Sequence, residues 1–457
     1  MKDRLALAGH PSQGKAASMR IHHASSSGSP SLQSDPSIPS ELRAQLDACG
    51  PTDLLVGIPS FNNADTIGEV VRAVQAGLAE FFPGIRAAIV NSDGGSTDGT
   101  PEVVREAAQD SSPPLLAMHP VYPIHQVATP YYGIPGKASA LRTVLAVAGQ
   151  LEARACAVVD ADVKSIEPSW VDLLLSPVLG GGFDFVAPQY FRHKYDGTIN
   201  NSIVYPLTRS LYGQRIRQPI GGDFGFSGRL GHHYLGQDVW ESELARFGID
   251  AWMTTTAITG GFRLCQTFLG PRIHDPRGPS PAISGMLSQV VGPVFDLMER
   301  HADMWKGVQG SASVPQFGEE HAVGLEPVRV DTARMIRAFQ RGVRELEGVW
   351  GPILEPDAIR ELGRIGVWDP SRFLFPPELW VRVLHAFAVA YHRRVMDREH
   401  LLQALTPIYQ GWVASFVTET RNATAEELEA REEWMCLLFE RLKPELSRQW
   451  DTGKEDP

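Results

Sequence analysis

Cysteine is scarce: the 457 residues contain four, Cys49, Cys156, Cys265 and Cys436, far apart and with no CxxC pair. That excludes a disulfide framework, argues against a zinc site and fits a reducing compartment. No apolar run reaches the roughly 18 residues of a membrane span. The basic Lys2 and Arg4 are followed only by LALAG, too short for the apolar region of a signal peptide, so the expected location is the cytoplasm. Positive charge is also in deficit, with 42 Lys and Arg against 53 Asp and Glu and a formal net charge of -11. Non-specific nucleic-acid binding needs a basic stripe to displace counterions, so nucleic acid is not an expected partner. A local basic pocket for a phosphorylated substrate is compatible with the same balance.

What is present is a folded, multidomain composition, 43% hydrophobic and 21% charged. Residues 1–50 are rich in Ser, Pro, Gly and His and read as a flexible arm. The pattern then changes sharply. Asp53-LLVGIP-Ser60 is a short apolar run, hence a buried strand, and a helix opens near Asp65 with Val70, Val71, Val74 and Leu78 on one stripe. A second strand reads over 85–91 and a turn over 92–100, with a helix from Pro101 and another from Lys137. Cys156 to Val163 is a third strand. This alternation predicts an α/β domain with a mainly parallel sheet over 51–290, with active groups at the carboxyl ends of the strands. Beyond 290 the texture is helical. Leu379, Val383, Leu384, Phe387, Tyr391 and Val395 fall at helical spacing, as does the segment Glu426–Leu442, so 291–457 is expected to be a helical domain that packs on the first or on a second copy. The glycosylation-like triplet Asn422-Ala423-Thr424 sits in this helical stretch and carries little weight.

Three polar clusters fall at the expected strand ends. Asp160-Ala161-Asp162 places two carboxylates where one can meet a metal and the other a ribose or the same metal. A divalent ion held by one or two carboxylates keeps positions open for a diphosphate. Asn91-Ser92-Asp93-Gly94-Gly95-Ser96-Thr97-Asp98 lets the backbone turn close to a ligand, with Asp93 able to accept from a base or ribose and Asp98 expected to cap the next helix. Gly136-Lys137 puts a cation at a glycine-led helix start, suited to a phosphate. It is not a Walker loop, since Tyr131 stands where that loop needs glycine and Ala138 where it needs Ser or Thr.

Together with Val56-GIPSFNNADTIG-Gly68, these motifs resemble the GT-A fold nucleotide-sugar transferases. The stretches Gln218-PIGGDFGFSG-Gly228, Phe247-GIDAW-Trp252 and Phe268-LGPRIH-His274 narrow the resemblance to the retaining glucosyl-3-phosphoglycerate and glucosylglycerate synthases. It runs over residues 53–290, and the helical tail is similar to the extension of the glucosylglycerate type. The resemblance implies a hexosyltransferase acting on small molecules, with a nucleotide-sugar donor (GDP-, UDP- or ADP-glucose) and Mg²⁺ or Mn²⁺. It places Pro59, Phe61, Asn62, Asp65 and Asp93 around the nucleotide, Lys137 on the diphosphate, and Asp160 and Asp162 at the donor ribose and metal. His274 becomes the third metal ligand. Asp250 falls where the family carries a Glu beside the transferred sugar. A homo-oligomer is expected.

The chain departs from the phosphoglycerate enzymes in the acceptor loop. Their arginine is missing from Tyr195-Asp196-Gly197-Thr198-Ile199-Asn200-Asn201, with Arg192, His193 and Lys194 just before it. Thr198, Asn200 and Asn201, with Arg192, suit a carboxylate and hydroxyls, hence D-glycerate as acceptor rather than its 3-phosphate. An inverting transferase of the same fold is the rival reading, with Asp223 or Asp250 as base; a nucleotide-sugar-binding scaffold is the non-enzymatic one.

Overall fold

The computed structural model describes Ile38 and residues 40–108, 114–119, 136–273, 283–320, 330–369 and 372–452. In chain order the first elements are α1 (Ser40–Cys49), β1 (Leu54–Ser60), α2 (Ile67–Phe81), β2 (Ala87–Asp93), α3 (Thr100–Ala107) and β3 (Leu115–Met118). They are followed by α4 (Lys137–Gln150), β4 (Ala155–Val158), α5 (Ser169–Leu179), β5 (Phe185–Phe191), a π-helical turn (Asn200–Val204) leading into α6 (Tyr205–Tyr212), β6 (Gln214–Arg215), β7 (Phe224–Ser227) and α7 (Gly228–Leu235). Next come α8 (Glu243–Phe247), α9 (Ile249–Thr259), β8 (Leu264–Pro271), α10 (Ile283–Arg300), α11 (Ala302–Trp305), β9 (Ala312–Ser313) and β10 (Gln316–Phe317). The rest is helical: α12 (Thr332–Glu345), α13 (Glu347–Trp350), α14 (Pro356–Gly366), α15 (Pro377–Arg393), α16 (Arg398–Glu419) and α17 (Ala425–Asp451).

Eight strands form one sheet in the order β10-β8-β5-β7-β4-β1-β2-β3. Every pairing is parallel except those of β7, which runs antiparallel to β4 and β5. The α/β architecture with a mainly parallel sheet and a helical C-terminal region is therefore as the sequence implies. Alternation along β1 explains its layers. Leu54, Val56 and Ile58 join the core under α2 and α5, whereas Leu55 faces the other core, which holds α4. Gly57 sits under α4, where any side chain would collide with Val144 (a Cβ would lie 2.5 Å from its Cγ1), so glycine sets the helix-to-sheet distance.

The helical region shares that second core. A continuous apolar cluster runs from Leu55, Val144 and Phe226 through Leu287 and Phe295 to Trp380, Trp412 and Phe439. A boundary at residue 290 falls inside α10. Paired glycines bring α12 and α16 together: a Cβ on Gly342 would meet Pro407 at 2.6 Å, and one on Gly411 would meet Phe339 at 2.8 Å. Polar ties join α17 and its neighbours to the sheet domain. Arg209 on α6, fully buried, reaches Glu433 (2.7 Å) and Glu440 (2.8 Å), and Trp380 Nε1 donates to Ser202 O (3.0 Å).

Several local expectations change. The expected arm covers 1–50, but ten of its residues, Ser40–Cys49, form α1, with Leu42 and Leu46 buried and Gln45 bonded both ways to the backbone of Leu116 (3.1 and 2.9 Å). The Ser- and Pro-rich composition of the segment concealed an i, i+4 leucine pair. Residues 1–37 lie outside the described residues. The strand expected over Cys156–Val163 ends at Val158, because after Val159 N donates to Gly57 O (3.0 Å) the next amide, Asp160 N, turns to the Asp223 carboxylate (2.8 Å). Helix α15 ends at Arg393, leaving Val395 beyond it and exposed. Asn422-Ala423-Thr424 is not within a helix; Thr424 is the N-cap of α17, in a capping box with Glu427. No helix among the described residues is long and apolar enough to cross a membrane.

Candidate active site

The carboxyl ends of β1, β2 and β4 lie side by side, and the loops leaving them build the site. Register places Ser60 opposite Asp93, and the Ser60 hydroxyl donates to the Asp93 carboxylate (2.9 Å). The other Asp93 oxygen accepts from Gly95 N (2.9 Å) and Ser96 N (2.8 Å), so this residue shapes its own turn. Asn62, in the left-handed region at φ 52°, accepts from Thr97 N (2.9 Å), while its own amide donates to Ser96 Oγ (2.8 Å). Asp98 accepts from Thr100 N (3.0 Å) at the start of α3 and from Ala64 N (2.9 Å). It thus steadies the start of α3, though the N-cap is Gly99 and not Asp98 as expected, and it also fastens the two loops together. Phe61 is half-buried beside them, Pro59 is buried within β1, and Asp65 is exposed just before α2.

Below these loops lies a buried cluster of charge. Gly136, at φ 72°, is the N-cap of α4, whose first residue is Lys137, with its ammonium 3.1 Å from Asp160 and 3.1 Å from Asp250. Asp160 is also bonded by Arg272 Nη2 at 2.7 Å, so both its oxygens face cations. The other guanidinium nitrogen of Arg272 bonds Asp223, which is fully buried and accepts as well from Tyr190 Oη. Asp223 in turn accepts from Asp160 N (2.8 Å), closing the ring. A Cβ on Gly222 would lie 1.9 Å from Asp160 Oδ2, so glycine is required for Asp160 to keep its place. Asp162 stands at the rim, its side chain 24% exposed and 4.0 Å from Arg272.

The charges do not balance. Four carboxylates (Asp160, Asp162, Asp223, Asp250) face two cations (Lys137, Arg272). Burial alone would raise the Asp160 carboxyl, but Lys137 and Arg272 outweigh it and hold Asp160 well below the usual carboxylate range. Burial alone would lower Lys137, yet Asp160 and then Asp250 hold it above its ordinary value. Asp250 and Asp223 shift the other way, raised by burial that their cations offset only in part, with Asp160 adding repulsion. With Asp162 at its edge the site is rich in carboxylates, a composition that suits a divalent cation. Asp162, partly open at the rim, is the carboxylate placed to meet one, whereas Asp160 has both oxygens on Lys137 and Arg272. Among the described residues no three His, Cys, Asp or Glu side chains form a metal cluster, and His274 lies outside them.

The candidate acceptor residues divide. Arg192 lines a cleft of about 420 Å³ beside Tyr190, with Asn201 on its edge. Thr198 instead bonds Tyr409 Oη (2.7 Å), and Asn200 bonds Asn201 (2.9 Å) and Arg217 O (3.0 Å). Thr198 thus ties the loop to the helical region and Asn200 ties it to the sheet domain, so the structure leaves Arg192 as the member with charge toward the cleft.

Residues 55–235 match the model of the family described as Glycosyl transferase family 2. This segment is a glycosyltransferase domain. The match takes in Lys137, Asp160, Asp162 and Asp223 and stops before Asp250 and Arg272, which complete the charge cluster. No curated protein matches the chain. Among solved structures, it is similar to glucosyl-3-phosphoglycerate synthase from Mycobacterium tuberculosis in complex with Mn²⁺, UDP and glucosyl-3-phosphoglycerate, at 21% identity and a TM-score of 0.40, covering 56% of this chain and 83% of that one. The same enzyme with Mn²⁺, UDP-glucose and phosphoglyceric acid gives 19% identity and a TM-score of 0.39 over 57% and 83%. Likeness at that level assigns neither donor nor acceptor.

Arg272 and Tyr190 were not among the site residues expected from the sequence. Arg272 stood in view, two residues before His274, but a single arginine in a loop gives no local signal. Only the pairing of β5 with β8, which carries both residues to one sheet end, reveals the contact. Asp223 is fully buried and bonded by Arg272 and Tyr190, which removes it as a solvent-facing base for an inverting reaction.

Proposed function

We propose that the protein is a metal-dependent, retaining glycosyltransferase that moves a hexose, with glucose the reading favoured by resemblance, from a nucleotide diphosphate donor to D-glycerate. The observation that carries this reading is Lys137, held between Asp160 and Asp250 at the strand ends of the glycosyltransferase domain. A donor diphosphate entering beside Lys137 takes over part of that ammonium from Asp250, and the positive end of the α4 dipole adds to the attraction. Asp162 and His274 would hold Mg²⁺ or Mn²⁺, which supplies charge neutralisation on the departing diphosphate. The nucleotide lies over the loops at Pro59–Asn62 and Asp93–Asp98, with Asp65 at their edge. Because Asp93 is engaged within its own turn, its part is to fix the backbone that meets the base or ribose.

As the glycosidic bond breaks, the electron pair passes to the diphosphate oxygen, and Lys137 stabilises the charge that develops. The acceptor hydroxyl attacks from the face the leaving group vacates, and its proton passes to a phosphate oxygen of the donor. No strong protein base is then needed. Asp250 remains beside Lys137 and restores its pairing once the nucleotide leaves.

A donor-by-acceptor matrix tests the reading: UDP-, GDP- and ADP-glucose against D-glycerate and 3-phosphoglycerate, with Mg²⁺, Mn²⁺ or chelator. The expected result is metal-dependent transfer to D-glycerate with the α-anomer conserved in the product by NMR. Strong preference for the phosphorylated acceptor would overturn the acceptor, and an inverted anomer would overturn the mechanism. Asp162→Ala should lower transfer on the order of 10² or more while leaving the melting temperature nearly unchanged, since Asp162 is at the rim. Metal-dependent turnover at the wild-type rate in that variant would remove Asp162 from the metal.

A further inference from the structure

The cleft next to the charge cluster has one wall from the sheet domain and another from the last helix. Gln189, Tyr190, Arg192 and Lys194 line one side at the end of β5, while Leu428, Glu429 and Glu432 of α17 line the other. Tyr190 links the cleft to the reacting region, because Arg192 and Arg272 both stand over its ring, at 5.1 and 4.9 Å from the centroid. The cleft thus begins one side chain away from Asp160 and Asp223.

Its cations are unequally committed. Lys194 donates to Thr420 O (2.7 Å) and Arg421 O (2.9 Å), and Arg217 is paired with Glu432. Arg192, over the Tyr190 ring, has among the described residues a 3.6 Å ion pair with Asp196, and its side chain keeps 22% exposure. His193 is held towards its neutral form by burial and by Lys194. Opposite stand Glu429, exposed on α17, with Glu432 and Glu320. The formal charges of the lining, Arg192, Lys194 and Arg217 against Glu320, Glu429 and Glu432, cancel.

We infer that α17 is the acceptor-selecting wall of this enzyme: Arg192 takes the carboxylate of a small hydroxy acid, and Glu429 discriminates against a second, phosphoryl charge. This rests on the hydroxy-acid acceptor proposed above and adds a selecting residue from the helical region. A phosphate ester brings between one and two further negative charges at neutral pH, and a lining with no net positive charge has nothing to offset them. One guanidinium presents a fork matched to a single carboxylate.

The test is calorimetric binding of D-glycerate and of 3-phosphoglycerate to the full chain, for wild type, Arg192→Gln and Glu429→Lys, alongside transfer rates with both acceptors. Wild type should bind D-glycerate at least tenfold more tightly than 3-phosphoglycerate. Arg192→Gln should weaken D-glycerate at least tenfold, and Glu429→Lys should move the ratio of the two by tenfold or more towards the phosphorylated acid. Glu429 is on the exposed face of its helix, so the melting temperature confirms that the variant is folded; Glu429→Gln should move the ratio in the same direction by a smaller factor. Failure of wild type to bind either acid, or a ratio unmoved by both Glu429 variants, overturns the inference. Binding in the expected pattern without transfer from any of the three nucleotide-sugars supports the wall and sinks the transferase reading instead.

Discussion

Two buried networks of charge hold this molecule, and they are built on opposite principles. At the strand ends, Lys137 and Arg272 serve an excess of carboxylates, and two of these, Asp223 and Asp250, are raised by burial that their cations fail to offset. Between the sheet domain and α17, the cation is saturated instead. Arg209 donates through Nε to Ser311 (3.1 Å) and Glu440 (2.8 Å), through Nη2 to Glu433 (2.7 Å), and through Nη1 to Glu433 and Tyr205, with no solvent exposure. A network in which every guanidinium nitrogen is bonded has little capacity left for a ligand. One with surplus acid has a place for a cation that the protein does not itself supply. The difference separates a rivet from a site.

The largest contrast follows from removing one charge from each. Asp160→Asn leaves Lys137 with Asp250 and Arg272 with Asp223, so the cluster becomes better balanced. The better count does not offset the loss of a charge that Lys137 and Arg272 hold below its usual range, so stability at neutral pH should fall by about 1–2 kcal/mol, while transfer falls on the order of 10²–10³ because Lys137 and Arg272 lose their shared anchor. Thermal melts and initial rates on the same preparation check both halves. A loss of stability as large as that of a broken buried pair, about 3–5 kcal/mol, would show that the cluster is a rivet too.

Arg209→Met should do the reverse. It leaves Glu440 with Ser311 and the 43% exposed Glu433 with Arg215 and solvent, at a cost of about 2–3 kcal/mol, while activity per folded molecule stays within a few-fold of wild type. Urea unfolding and rates normalised to folded protein separate the two. If activity fell with no loss of stability, the interface would be part of the catalytic machinery.

How much of this was legible in the sequence differs between the two networks for the same physical reason. Asp160, Lys137 and Asp93 were legible because each lies at a strand or helix end, where short-range pattern and chemistry coincide. The buried strand β1 was legible from the apolar run in Leu54–Ser60, and α15 and α17 from helical spacing. Arg272, Tyr190 and Arg209 were not, since their partners lie far along the chain (Asp160 is 112 residues from Arg272, and Glu433 is 224 from Arg209) and no local pattern encodes such pairs. The antiparallel strand β7 was hidden too. It brings Asp223 behind Asp160, and nothing in the local sequence shows that Gly222, just before it, packs against the Asp160 carboxylate.

The smallest prediction concerns the one place where the interface resembles the site. Lys443 on α17 donates to Val308 O (2.7 Å) and Leu211 O (3.4 Å), with no carboxylate bonded to it. Burial lowers its pKa from 10.5 to about 8, against the weaker pull of Glu440. The folded state therefore releases this proton more readily than the unfolded chain, which binds more protons between about pH 8 and 10.5. Stability contributed by this group is lowest below pH 8, where the buried ammonium is charged, and rises with pH through that window. Solvent reaches part of its surroundings, so the full shift is discounted to about 1–2 kcal/mol. The measurement is the stability of wild type minus that of Lys443→Met from pH 7 to 10.5, a difference that cancels the other alkaline titrations. An upward slope confirms an underpaired cation in an otherwise saturated interface, and a flat difference means that the Val308 and Leu211 carbonyls satisfy it as fully as glutamates satisfy Arg209.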